Sequence, residues 1–200
     1  MKKLTTRIAP GVLALGLCCL TATLTGCGNS APPPPAGFTP RQLSDALFAV
    51  MSADRAVYTK QVVNRLQNEE KVLKASEHWK DEKALPLPAQ MFRMGAETVS
   101  EKKAGFTYAL LSLWPVNKQN APKTDVEKTG LQYVADNQGT SNYYAEEVLG
   151  GKKYFTAVYA DVAVSKACVT CHNSHTDSPR DDFKLDEVMG GVVIRVPLDP

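Results

Sequence analysis

Between Lys166 and Arg180 the chain reads KACVTCHNSHTDSPR, which sets Cys168, Cys171, His172 and His175 within eight residues. Three chemistries use such a set. Four ligands of these types hold zinc. A dithiol two residues apart exchanges with disulfides. C-x-x-C-H is also the pattern of covalent haem attachment: two thiols add across vinyl groups on one porphyrin edge, and the next histidine ligates the iron. Zinc is disfavoured because Cys171 and His172 are sequence neighbours whose side chains diverge, and because all four ligands would sit on one short loop. A thioredoxin-like dithiol opens a helix in an alternating strand–helix fold, whereas this motif follows a hairpin pattern near the C-terminus. If His172 and His175 are only polar loop residues, two exported thiols stay unexplained. Covalent haem c needs an exported chain, and the other end of the sequence bears on that.

Met1-Lys2-Lys3 and Arg7 form a positive leader, and residues 11–20 are an apolar run too short to cross a bilayer comfortably. Leu24-Thr25-Gly26-Cys27 matches a lipobox, so residues 1–26 are expected to be a lipoprotein signal peptide and Cys27 the lipidated residue. Several acyl chains anchor stably where one does not. Gly28 after the cysteine, rather than aspartate, favours the outer membrane where that sorting rule operates. The expectation is an exported bacterial protein, periplasmic or on an extracytoplasmic face, held to the lipid bilayer through acylated Cys27. Cleavage removes Cys18 and Cys19 and lipid consumes Cys27, which leaves only Cys168 and Cys171 as thiols. A disulfide framework is thereby excluded. Loss of Lys2, Lys3 and Arg7 turns the formal +2 of the whole chain faintly negative, so nothing basic argues for nucleic acid.

Residues 27–37 carry four consecutive prolines and read as a polyproline tether of about 30 Å. The folded domain is expected over residues 38–200. Phe38-Thr39-Pro40-Arg41-Gln42-Leu43 holds a staple, an N-cap, a first-turn proline and a capping-box glutamine. Leu43, Leu47, Val50, Met51, Val57, Tyr58, Val62 and Leu66 recur at helical spacing, which predicts one long amphipathic helix over residues 40–66. Residues 68–83 are charged and read as a frayed continuation and a loop. A helix is expected over 89–101, a strand over 106–113 and a shorter helix over 124–137. Strands over 141–149 and 153–164 flank Gly150-Gly151, a two-residue turn. A last strand spans 192–196. Hairpin-joined strands predict a small antiparallel sheet with helices on one face, an α+β domain.

The sequence resembles the single-haem PAS-like domain of exported cytochromes and of extracytoplasmic haem sensor modules. The resemblance rests on ADRAVYT (residues 53–59), LPLPA (85–89), LWPVN (113–117) and NAP (120–122), and above all on ACVTCHNSH (167–175) followed by GGVVIRVPL (190–198). It implies a PAS-like antiparallel sheet with a long N-terminal helix and flanking helices, and one covalent haem c on Cys168, Cys171 and His172, the last as proximal iron ligand. Sensor members carry transmembrane helices and an output domain that are missing from this sequence.

The sixth iron position stays open among Met51, Met91, Met94, Met189, Tyr58, His78 and vacancy. His175, three residues beyond His172, is expected to hydrogen-bond within the loop or to a propionate. Arg55 and Tyr58 are candidates to line the pocket, Arg55 as a propionate partner or else a helix-surface charge. A strong sixth ligand makes an electron carrier, and a weak one makes a binder of nitric oxide, carbon monoxide or oxygen. Electron transfer with redox partner proteins is the first expectation, sensing through a separate partner the second. No distal His–Arg pair supports peroxidase chemistry, so no enzyme is expected.

Overall fold

The computed structural model describes residues 37–198. The expected signal peptide, Cys27 and nearly all of the expected tether lie outside the described residues. Thr39 starts the fold as expected. Its hydroxyl accepts from the Gln42 N–H at 3.2 Å, and the Gln42 side chain accepts from the Thr39 N–H at 3.0 Å. Helix α1 runs Pro40–Val57 and continues without a break as a π-helical segment, Tyr58–Glu69. The change in winding re-phases the buried face. Thr59 and Val63 are buried, Tyr58, Val62 and Leu66 of the expected stripe are half-buried, and Val57 is 58% exposed. The Thr59 hydroxyl donates to the Arg55 carbonyl at 2.7 Å, a back-bond that competes with the helical ladder where the winding changes.

The charged stretch after the helix is not a plain loop. Ala75–Ser76 (β1) pairs in parallel with Leu85–Pro86 (β2), elements too short to show any periodicity. Gln67 accepts from the Ala75 N–H at 2.7 Å, and the Tyr58 hydroxyl donates to the Pro86 carbonyl at 2.8 Å, tying this segment to the π-helical turns.

Helix α2 (Pro88–Glu101) leads to β3 (Thr107–Leu111), and α3 (Asp125–Asp136) precedes β4 (Tyr143–Leu149) and β5 (Lys152–Val162). Helix α4 (Lys166–Ser174) and β6 (Val188–Pro197) complete the fold. The four long strands form one antiparallel sheet in the order β3-β6-β5-β4. Gly150 and Gly151 turn β4 into β5 with φ of 58° and 80°, values that favour glycine at both positions.

Helices cover both faces of the sheet, not one. On the first face Tyr159, Val192, Ile194 and Val196 meet Leu43, Leu47 and Phe48 of α1 and Phe92 of α2. On the second, Val158 and Val193 meet Leu131 and Val134 of α3. Burial on both sides explains why β6 is apolar at nearly every position instead of alternating. Gly190 permits the closest approach in the sheet, because a Cβ there would overlap the Leu111 carbonyl oxygen. Gly190→Ala is expected to cost about 1–3 kcal/mol, read as a lower urea midpoint with an unchanged slope.

Candidate cofactor cavity

Ser165 caps α4, its hydroxyl accepting from the Ala167 N–H at 3.2 Å. The cysteine motif therefore lies on a helix, where the sequence reading had a loop. The cap was visible in Ser165, directly before the motif. A helix places residues three and four apart on one face, so Cys168, Cys171 and His172 all open into one cavity of about 640 Å³. The opposite wall comes from Arg55, Thr59, Val63 and Gln67, four residues apart along α1 and its π-helical extension. Leu110, Leu111 and Ser112 at the end of β3, Asp161 of β5 and Met189 of β6 line the rest, together with Ala75, Glu77 and residues 87–90.

Cys168 and Cys171 are both free. Burial pushes the Cys168 thiol above its ordinary value. The Cys171 thiol, open to solvent on one side but backed by packed atoms, moves the same way. The motif does open a helix after a strand, as thioredoxin-like dithiols do, yet these shifts oppose the acidified thiolate that such chemistry needs. Burial holds the His172 imidazole below its ordinary value, with the charges of Arg55 and His175 acting in the same sense. Its Nδ1 is buried without a partner among the described residues. A neutral imidazole is the form that ligates a metal.

His172 is braced from behind. Its ring meets Phe183 edge to face, with centroids 5.9 Å apart at 89°. The Asn173 side chain donates to the Phe183 carbonyl at 2.9 Å and accepts from the Phe183 N–H at 3.0 Å. Arg180 lies over both Trp114 and Phe183, at 4.8 and 4.2 Å from the ring centroids. Asn173, Phe183 and Asp161 were not singled out from the sequence. The one available signal was Phe183, an isolated aromatic in the charged run DDFKLDE.

His175 is engaged at both nitrogens: Nδ1 accepts from the Asp177 N–H at 3.0 Å, and Nε2 lies 2.8 Å from a Glu77 oxygen. Of the sixth-ligand candidates, Met189 is on the cavity wall, packed with Phe183 and Cys168. Met51 belongs to the α1 side of the sheet core, the Tyr58 hydroxyl is bound to Pro86, and Met94 and His78 are exposed. Met91 is half-buried in α2, away from the lining. Arg55 is no free surface charge. It pairs with Asp161, their side chains being 13% and 14% exposed, and its Nε is buried without a partner among the described residues.

Among the described residues no three His, Cys, Asp or Glu side chains cluster as a metal-ion site, and no helix is long and apolar enough to cross a membrane. The thiols and imidazole instead face a space far larger than one ion, inside a PAS-like α+β domain: an antiparallel sheet with a long N-terminal helix and further helices flanking it. The chain belongs to the Tll0287-like family, whose model matches residues 38–197. It is similar in fold to a solved structure described as the cyanobacterial heme-protein Tll0287, with a TM-score of 0.52 and 14% identity over 80% of this chain and 98% of that one. No curated protein matches it.

Proposed function

We propose that this chain is an exported monohaem c-type cytochrome that carries electrons between redox partner proteins and is held to a membrane through lipidated Cys27. The observation that carries the reading is the convergence of Cys168, Cys171 and His172 from one face of α4 into a single cavity of about 640 Å³. The residues present fit the group. Two unpaired thiols stand one helical turn apart, a neutral imidazole is the next residue, and the facing wall mixes apolar Val63 and Leu111 with the cation Arg55. The heme-protein description of Tll0287, whose family this chain shares, supports the same cofactor. Cys168 and Cys171 would hold it as thioethers and His172 would ligate the iron. When bound, the haem supplies a one-electron couple. The chain's own part is to fix the imidazole through Phe183 and Asn173 and to shield the site with the β3 end and the π-helical turns.

A second reading is sensing of nitric oxide, carbon monoxide or oxygen through a separate partner. One observation favours it: of the sixth-ligand candidates only Met189 is on the wall, and it packs with Cys168 and with the Phe183 ring that braces His172, which leaves none of those candidates on the facing wall. Absorption and EPR spectra of the purified full chain, with and without carbon monoxide, separate the two. Low-spin six-coordinate iron indifferent to carbon monoxide is expected for the carrier, and rapid uptake would replace that reading with the sensor. A colourless protein would sink both.

A further inference from the structure

We infer that Asp161 takes up a proton when the cavity takes up an electron, with Arg55 as its fixed counter-charge. The inference rests on the haem reading above and concerns a buried ion pair that haem attachment itself does not use. Asp161 stands near the end of β5, two residues beyond buried Tyr159 and so on the same face of the sheet, toward α1. The β5–β6 register slips just there: Asp161 faces Gly190 while Val162 faces Val188. Such a slip re-aims side chains beside functional sites. Asp161 and Arg55 both line the cavity, and an Arg55 Nη1–H donates to Asp161 Oδ1.

Arginine does not deprotonate in proteins, so only Asp161 can change the charge of this pair. An added electron in a poorly solvated cavity acts as a like charge on a nearby carboxylate and favours its protonated form. Asp161 is poised for that change, because burial already pushes its carboxyl above the ordinary value against the attraction of Arg55. The other charged or titratable groups that face it are few. Helix α4 contributes the Cys168 thiol, which attachment would convert to a thioether, and His172. Helix α2 contributes Arg93, and the β1 side contributes Glu77, both on outer parts of the wall, with Lys118, His175 and Asp177 also lining the cavity. Strand β6 places Gly190 opposite and adds no charge.

The step balances simply. One electron arrives from a one-electron donor and one proton passes from a solvent hydronium ion to an Asp161 oxygen, one O–H bond breaking on hydronium as one forms on the carboxylate. The Arg55–Asp161 pair passes from neutral to singly positive and offsets the incoming charge.

The test is a mediated electrode titration of the full-length haem-loaded protein across the neutral pH range. At fixed ambient potential, the reduced-to-oxidised ratio is expected to rise as pH falls, toward a limit of tenfold per unit, about 59 mV. Asp161→Asn is expected to abolish that dependence and to favour the reduced form relative to wild type, most strongly at the alkaline end of the range, since Arg55 is left uncompensated. Arg55→Lys keeps the charge and should keep the dependence. Redox-difference infrared spectra of the wild type should gain a protonated-carboxyl band on reduction. A pH-independent potential in the haem-loaded wild type would overturn the inference, as would a dependence that survives in Asp161→Asn. If Asp161→Asn does not fold, the absence of that wild-type band overturns it equally. A colourless chain would instead overturn the haem reading on which it rests.

Discussion

Cys168→Ala combined with Cys171→Ala is expected to give a folded chain that holds no covalent haem, a complete loss rather than a graded one. Folding should survive because neither cysteine belongs to the two clusters that fill the faces of the sheet. Of the three apolar clusters Cys168 packs against the small one of Ala163, Phe183 and Met189, and alanine favours the helix in which both positions lie. Haem-stained denaturing gels and the intact mass of the chain read the loss, while circular dichroism reports the fold. Each single variant keeps one possible thioether and is expected to retain part of the stain. His172→Ala should separate attachment from coordination: the stain persists, but the spectrum of ligated iron does not. A double variant that still carried covalent haem would mean attachment elsewhere, and would remove Cys168 and Cys171 from the site.

The second large effect is on stability. Arg195 of β6 donates to Glu127 of α3 at 2.6 Å and to Glu147 of β4 at 2.7 Å, and the Thr156 hydroxyl donates to Glu147 at 2.6 Å. The two carboxylate side chains are only 5% and 6% exposed. Glu127 also closes the capping box of α3, accepting from the Thr124 N–H at 3.0 Å. Arg195→Met therefore strands two buried acids, and a loss of about 3–5 kcal/mol in urea unfolding is expected. Burial alone would raise the Glu147 carboxyl, but the bonds from Thr156 and Arg195 outweigh it and hold it below its ordinary 4.5. A carboxyl lowered in the folded state stabilises fully above its unfolded value and loses that contribution as pH falls through the folded one. The wild-type urea midpoint should accordingly drop on acidification below about pH 4.5. In Arg195→Met, burial acts unopposed by the cation, so protonation should relieve the variant as pH falls toward 4.5, and the further loss that the wild type shows below that value should be reduced. A midpoint that falls equally in both proteins would place the acid sensitivity outside this network.

What could be read from the sequence was local. Thr39-Pro40-Arg41-Gln42 names a helix start, because Thr39, Pro40 and Gln42 each have one job in the first turn. Gly150-Gly151 names a hairpin, because both positions need positive φ. Cys168, Cys171 and His172 were legible as a unit because C-x-x-C-H matches two vinyl groups and an adjacent iron ligand, although the helix that carries them was read as a loop. What could not be read was collective. The π-helical winding from Tyr58 leaves hydrophobic spacing almost intact while it turns Thr59 and Val63 inward, and no propensity marks it. That β6 is covered on both sides follows from α3 packing, which an apolar run of valines permits but does not specify. Asp161 stands near the end of an ordinary strand, and only the slip against β6 and the approach of Arg55 give it a place in the cavity. Phe183 reaches His172 through Asn173, a contact across ten residues that no periodicity encodes.

The division between the sheet core and the edge cluster of Ala163, Phe183 and Met189 also orders the life of the molecule. The two large clusters draw on α1, α2, α3 and the strands, and none of their residues comes from α4. Local opening of α4 therefore need not cost the free energy of global unfolding. The newly made chain can assemble its scaffold first and present the cysteine helix to whatever loads it as a detachable flap. Loading then latches that flap, so the cofactor acts as the final fastener of an already finished frame.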